Sequence, residues 1–146
     1  MLVIGHDEAV TRWVGARLRI EDFGPWRSAI GVAIGAELVA GAVFTHYNNR
    51  CDIQVTFAAS TPRWATRGAI RGILAYPFVQ LRCRRLTAIT EAGNLVARRF
   101  LDRLGFHMEG YHRDAFADDD GVSYGMLRQE CRWLEDLVNV DEPKAA

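Results

Sequence analysis

Residues 90–110 read TEAGNLVARRFLDRLGFHMEG, and this stretch decides which fold the chain adopts. Asn94 is of a residue type that caps helix N-termini, and apolar residues recur after it at helical spacing. One face of this segment carries Ala97, Phe100, Leu101 and Leu104. Gly105 follows as a C-terminal stop. The stretch therefore predicts an amphipathic helix between Asn94 and Gly105.

Further strands and helices are predicted on both sides of this helix. A strand over 85–91 precedes it, and a strand over 106–114 follows it. The upstream elements are a short strand at 2–4, a helix over 7–20, strands over 28–34, 37–47 and 51–59, and a helix after Pro62 that Pro77 kinks or shortens. A last strand over 122–132 follows the acidic turn Asp118–Gly121. Apart from the short first strand, the order is α-β-β-β-α-β-α-β-β.

The composition indicates one soluble domain. The 146 residues are 49% hydrophobic and 25% charged, so we expect a domain over 1–138 and a flexible tail over 139–146. Basic and acidic groups balance at 18 each, which argues against a nucleic-acid partner. A cationic secretion signal is missing, as is any run of the ~18 apolar residues that a membrane span needs, so we expect a cytoplasmic protein without a membrane partner. The three cysteines are far apart, which predicts reduced thiols and no metal site.

The loop after strand 51–59 carries a signal for phosphate binding. Arg63, Arg67 and Arg71 stand at the start of the following helix. A strand-loop-helix connection directs backbone N–H groups and the positive end of the helix dipole to one point, which suits a phosphate. The same connection occurs throughout α/β proteins, where arginines only solvate it, so both interpretations stay open at this point.

A second motif follows the predicted helix, because Leu104-Gly105-Phe106 and Glu109-Gly110 stand at a fixed distance after Asn94. In this combination the chain resembles the GNAT superfamily of N-acetyltransferases, whose closing half reads strand, Asn, amphipathic helix, Leu-Gly-Phe, x-x-Glu-Gly. The segment 126–130 with Trp133 is similar to the final strand of the ribosomal-protein N-terminal acetyltransferase branch. The resemblance implies an α/β (α+β) fold with a single mixed, mostly antiparallel sheet of six to seven strands. This sheet would be splayed between strands 4 and 5 and flanked by three to four helices.

The resemblance also implies that acetyl-CoA lies in the splay as a co-substrate. In the family the diphosphate sits on a loop of the pattern Gln/Arg-x-x-Gly-x-Gly/Ala, which here reads Arg63-x-x-Thr66-x-Gly68. The backbone N–H at Ala58 would hold the acetyl oxygen, and Asn94 would orient the pantetheine arm or act as a plain helix N-cap. The implied cofactor-binding residues are Ala58, Ala59, Arg63, Thr66, Arg67, Gly68 and Asn94.

The predicted catalytic residues are Glu91, His46 and Asn94. Many family members place a Tyr seven residues after the Asn to protonate the leaving thiolate, and Leu101 stands at that position here. Glu91, at the end of strand 85–91, and His46, near the end of strand 37–47, are the two candidates for the base that takes the proton of the amine. Each of them can instead be an ordinary solvated residue at a strand end.

The leading hypothesis is an acetyl-CoA-dependent N-acetyltransferase that acts on a primary amine by direct attack in a ternary complex. The alternative is a non-catalytic module of the same fold that binds CoA or a protein, which Thr66 and Leu101 favour. A third hypothesis is nucleic-acid binding by the arginine run 82–85. The run has no interleaved aromatic residues, which favours a solvated turn instead. The acidic residues 118–120 either attract a cationic substrate or form a polar turn, and the apolar groups of segment 133–138 predict a homodimer.

Overall fold

Within residues 1–137, which the computed structural model describes, seven strands and three α-helices follow one another in the predicted order. They are β1 (Leu2–Val3), α1 (Asp7–Leu18), β2 (Arg27–Ile34), β3 (Glu37–Asn48), β4 (Asp52–Ala59), α2 (Arg67–Ala75), β5 (Arg85–Glu91), α3 (Leu95–Leu104), β6 (His107–Phe116) and β7 (Asp119–Leu127). Short 3₁₀ turns cover Pro62–Trp64, Arg128–Glu130 and Arg132–Leu134, and a π-helical turn covers Tyr76–Gln80. Residue 138 of the predicted domain and the predicted tail 139–146 lie outside the described residues.

All seven strands form a single sheet in the order β1-β2-β3-β4-β5-β7-β6. Neighbouring strands are antiparallel except β4 and β5, which are parallel and share the register pair Gln54–Thr87. Beyond that pair the two strands continue to Ala59 and Glu91 without further pairing, so a wedge-shaped opening separates their C-terminal ends. We call this opening the V, and we call the opposite end of the sheet, where β4 and β5 begin, the far end. The predicted mixed sheet with a splay between strands 4 and 5 is confirmed.

Helices cover the two faces of the sheet unequally. Along β3, Val43 packs in one core with Val10 and Val14 of α1, whereas Ala42 and Phe44 pack in a second core with residues of α2 and α3. Successive residues of a strand point to opposite faces, so α1 lies on one face and α2 and α3 lie on the other. Because α1 contacts β2, β3 and β4, it covers the half of the sheet that precedes the V.

The last strand begins and ends earlier than predicted. β7 starts at Asp119, which reduces the predicted acidic turn to residues 117–118, and it ends at Leu127 rather than at 132. The strand stops there because the carboxylate of Glu130 accepts the Leu127 amide at 2.7 Å and begins a 3₁₀ turn. The prediction of a strand over 122–132 was therefore wrong in its last five residues.

Apolar residues near the end of the described chain pack within the same chain. Trp133 Nε1 donates to the carbonyl of Leu104 at 2.9 Å, and Leu134 is fully buried. These contacts account for two of the apolar groups behind the predicted homodimer, whereas Leu137 stays 40% exposed and residue 138 lies outside the described residues. The homodimer therefore stays a prediction. In the described part of the chain no helix is both long and apolar enough to cross a bilayer.

Close packing of α1 on β3 depends on Gly41. A Cβ added at this position would stand 2.7 Å from Val14 Cγ2 and 2.9 Å from Val10 Cγ1, and both valines are buried and stiff. We expect Gly41→Ala to lower the free energy of unfolding by about 1–3 kcal/mol, because the helix must move away from the sheet. Urea denaturation measures this loss. Gly68→Ala is the matched control, since its added Cβ meets nothing within 4 Å, and equal stability of the two variants would contradict the packing argument.

Candidate active site

The backbone of β4 forms one wall of the V, and the hydrogen-bond pattern decides which of its amides face the opening. The Ser60 amide donates to the Val39 carbonyl at 2.8 Å, and the register with β3 continues unbroken back to Ala58, which lies opposite Gly41. Hydrogen-bonded pairs recur at every second residue of an antiparallel ladder. The Ala58 amide therefore also faces β3.

The amides of Phe57 and Ala59 consequently face the V. No strand pairs with them on that side, because the register between β4 and β5 stops at Gln54 and Thr87. The structure thus turns the predicted donor Ala58 away from the opening and puts its two neighbours in its place. Ala59, the other predicted residue of this strand, stays at the V.

An arginine of α1 reaches the same edge. Arg17 Nη2 donates to the Ala59 carbonyl at 3.2 Å, and its guanidinium lies 5.1 Å from the centre of the Trp13 ring. A fixed cation therefore stands at the mouth of the V. Sequence reasoning missed Arg17, since 42 residues separate it from Ala59 and no local pattern links the two.

Thr66 takes the loop position at which the family pattern has glycine, and it fits there without strain. Its φ of −75° and ψ of 158° are ordinary extended values, so no left-handed backbone is required. The Thr66 hydroxyl oxygen accepts the Ala69 amide at 3.2 Å and caps α2. A threonine hydroxyl that accepts one hydrogen bond can still donate another.

The N-terminus of α2 is built to receive an anion. The first-turn amides of Arg67 and Gly68 have no intrahelical acceptor, and no acidic residue stands in that turn. Gly68 faces open space, and the side chains of Arg63 and Arg67 are exposed beside it. The free amides, the helix dipole and the two guanidinium groups all attract negative charge at this point.

Arg71 does not belong to this cationic group. It donates to the carbonyl of Trp133 at 2.7 Å and to both carboxylate oxygens of Asp136 at 3.0 Å. The hydrogen bonds from Arg71 lower the pKa of the Asp136 carboxyl. Arg71 therefore ties α2 to the segment after β7, and only two of the three predicted arginines remain at the helix start.

The second wall of the V ends in a loop that is held by hydrogen bonds. The exposed Glu91 closes β5, and its carbonyl accepts the Asn94 amide at 3.0 Å. Asp119 accepts the Gly93 amide at 2.7 Å, and the side-chain oxygen of Asn94 accepts the Ala97 amide at 3.1 Å. Asn94 is thus the N-cap of α3, one of the two roles predicted for it. Glu91 stands at the V beside it.

Two of the three acidic residues 118–120, Asp119 and Asp120, are occupied by structural hydrogen bonds. Besides the Gly93 bond, Asp119 accepts the Asp120 amide at 2.7 Å. Asp120 accepts the Asp114 amide at 2.8 Å and the Tyr111 hydroxyl at 2.7 Å. The Asp114 amide and then the Tyr111 hydroxyl lower the pKa of the Asp120 carboxyl. For Asp119 and Asp120, which lie at the start of β7, this network favours a structural role over attraction of a cationic substrate, whereas Asp118 is exposed in the turn.

Three aromatic rings connect the two sides of the V. Phe57 of β4 lies 5.5 Å from Phe100 of α3, and Trp64 of the 3₁₀ turn lies 6.2 Å from Phe57 and 5.4 Å from Phe100, measured between ring centres. Leu101 beside them is buried, with 4% of its surface exposed. The position at which many family members carry a tyrosine is therefore part of the core.

His46 lies at the far end of the sheet. It follows Thr45, which pairs with Gln54, four residues before Ala58 on β4, so about 13 Å of strand separates it from the V. His46 is exposed, has a φ of 53°, and its Nδ1 contacts the Thr45 hydroxyl at 3.0 Å. Ala59, the loop residues 63–68, Glu91 and Asn94 all follow or close the C-terminal ends of β4 and β5, whereas His46 lies at the far end.

The chain is similar in structure to solved acetyltransferases. Over 97% of this chain and 99% of the other, the chain matches the F149A mutant of spermidine N-acetyltransferase SpeG from Vibrio cholerae, with a TM-score of 0.70 and 13% identity. A GNAT-family acetyltransferase from Bacillus anthracis matches with a TM-score of 0.59 and 21% identity, over 70% of this chain and 67% of the other. No family model and no curated protein matches the sequence. At these identities the likeness establishes the fold: the chain has the GNAT fold.

The cap formed by Thr66 gives a stability prediction at the site. We expect Thr66→Ala to lower the free energy of unfolding by about 1 kcal/mol, because the Ala69 amide loses its acceptor. Thr66→Ser keeps the hydroxyl and should stay close to the parent protein in urea denaturation. If both variants unfold at the same urea concentration, the hydroxyl does not act as the cap.

Proposed function

We propose that the protein is an acetyl-CoA-dependent N-acetyltransferase that transfers the acetyl group to a primary amine by direct attack in a ternary complex. The observation that carries the proposal is the V itself. An unpaired strand edge is followed there, after a 3₁₀ turn, by a helix N-terminus with two exposed arginines. Such a site offers hydrogen bonds along an extended arm and a cradle for phosphate at its end. The fold shared with the named acetyltransferases agrees with this proposal.

The residues of the V fit acetyl-CoA. The α2 N-terminus, with the Arg67 and Gly68 amides and the Arg63 side chain, would hold the diphosphate. Of the free amides of Phe57 and Ala59, one would donate to the pantetheine arm, as the amide of a neighbouring strand would, and the other would be left for the acetyl oxygen. Acetyl-CoA supplies a thioester whose carbonyl carbon is open to attack by an amine. The extended backbone of Thr66 is one that any residue adopts, which supports the proposal at the position where the family pattern has glycine.

The reaction needs an oxyanion donor and a base. One of the two amides that face the V, Phe57 or Ala59, would donate to the oxygen on which negative charge develops. Glu91, exposed at the end of β5, would take the proton of the attacking amine directly or through a water. Asn94 would act as a positioning residue, because its cap fixes the start of α3 beside Glu91.

The leaving thiolate needs no acid from this chain. Leu101 is buried and apolar, so it cannot donate a proton. A thiol has a reference pKa of about 8.5, so the thiolate leaves near neutral pH at a small energetic cost. The missing tyrosine is therefore compatible with catalysis. The acceptor would be a primary amine in its neutral form.

A thiol-release assay with acetyl-CoA and a panel of primary amines tests this function. We expect turnover with at least one amine, and we expect Glu91→Gln to lower kcat about 10²–10⁴-fold because the base is lost. The affinity for CoA, measured by calorimetry, should stay unchanged in this variant. Glu37→Gln, an exposed glutamate at the start of β3, is the matched control and should keep the full rate.

Two outcomes separate the alternatives. CoA binding without turnover of any amine would favour a non-catalytic CoA-binding module, the second reading of this fold. Turnover that Glu91→Gln leaves intact would keep the acetyltransferase and remove Glu91 as its base.

A further inference from the structure

A second cationic site lies at the far end of the sheet, where β4 and β5 begin. A cavity of about 440 Å³ opens there, and its lining includes Cys51, Arg82, Arg84, Arg85, Arg128 and Gln129. We propose that this cavity binds a small phosphate-bearing anion. It is separate from the V, because β4 runs between the two over about 23 Å. The proposal therefore does not depend on the proposed acetyl transfer.

Main-chain hydrogen bonds between three chain segments hold the rim of the cavity in place. The Arg84 amide donates to the carbonyls of Arg50 at 3.0 Å and Cys51 at 3.2 Å. The Arg85 amide donates to Cys51 at 3.0 Å, and the Arg128 amide donates to the Arg84 carbonyl at 2.9 Å. These bonds join the β3–β4 turn, the start of β5 and the end of β7. The arginines therefore project from a fixed frame.

Positive charge exceeds negative charge at this cavity, and Arg82 and Arg84 carry the excess. Its lining contains four arginines and no carboxylate. The nearby carboxylates of Asp52 and Glu109 are both engaged by Arg85, whose pKa the Glu109 hydrogen bond raises. Arg82 and Arg84 are exposed at the opening. In a chain with equal numbers of acidic and basic groups, such a concentration of cations is a local property of this site.

The chemistry of the lining selects phosphate. Guanidinium groups present planar donor pairs that match phosphate oxygens, and the Gln129 amide adds further donors. The volume lies in the range of small-molecule pockets. No aromatic residue lines the cavity, so it lacks the stacking platform that single-stranded nucleic acid requires. These features favour a small phosphate ester or diphosphate over an oligonucleotide.

Cys51 provides a reporter inside the cavity. Cys51 is exposed, whereas Cys83 and Cys131 are buried. Burial raises the pKa of the Cys83 and Cys131 thiols to about 11, so they stay protonated at pH 8. A neutral disulfide reagent such as 4,4′-dithiodipyridine should therefore label Cys51 first. Cys51→Ser identifies this fast phase by removing it.

Protection of Cys51 by inorganic pyrophosphate tests the site. We expect millimolar pyrophosphate to slow the labelling saturably at constant ionic strength, and inorganic phosphate to act in the same way with lower affinity. The double variant Arg82→Gln/Arg84→Gln should raise the half-protecting concentration at least tenfold, with protection measured against the labelling rate of the same variant without pyrophosphate, because loss of two cations beside Cys51 can slow labelling by itself. The matched control is Arg63→Gln/Arg67→Gln, which alters only the V. In this variant pyrophosphate should protect Cys51 at the same concentration as in the parent protein.

Three results would overturn the proposal. The first is labelling that pyrophosphate does not slow. The second is protection that survives in Arg82→Gln/Arg84→Gln. The third is an oligothymidylate that protects at lower concentration than pyrophosphate, which would identify the cavity as a nucleic-acid contact instead.

Discussion

The structure depends on the loss of pairing between β4 and β5 in the middle of its sheet. β4 and β5 run parallel and meet at Gln54 and Thr87, and beyond this pair each strand loses its neighbour. Buried backbone N–H and C=O groups need hydrogen-bond partners, so a strand edge left open in the middle of a sheet calls for another partner. Arg17 supplies one of these partners at the Ala59 carbonyl. The amides of Phe57 and Ala59 remain directed at the V, where an extended ligand can complete the sheet.

The rest of the fold keeps the V open and charged. Gly41 allows α1 to pack closely on the strands that precede the opening, and this packing supports β4 on one face of the sheet. On the other face, the ring of Trp64 packs against Phe57 and Phe100 and connects the loop after β4 to α3. Thr66 ends that loop and caps α2, whose first-turn amides of Arg67 and Gly68 have no intrahelical acceptor. Strand edge, aromatic contact and helix start thus follow one another along a short stretch of sequence.

Local chemistry could be read from the sequence, whereas features set by tertiary pairing could not. α3 begins after Asn94 and ends at Gly105 as predicted, because capping depends only on neighbouring residues. Whether the amide of Ala58 or those of its neighbours face the V depends on the register of β4 against β3. A shift of this register by one residue would exchange the amides that face β3 with those that face the V. The position of His46 late in β3 predicts a place near the site, but the antiparallel pairing of β3 with β4 brings the end of β3 to the start of β4. The end of β7 at Leu127 depends on Glu130, a contact that apolar periodicity does not reveal.

Residue-resolved amide hydrogen exchange, measured by NMR with and without CoA, tests the central claim most directly. If the edge of β4 binds CoA in the V, the amides of Phe57 and Ala59 exchange rapidly in the free protein and become protected when CoA is added. The Ala58 amide, bonded within the sheet, should exchange slowly in both states. Protection that appears at Ala58 alone, or no change at Phe57 and Ala59 on addition of saturating CoA, would contradict the account.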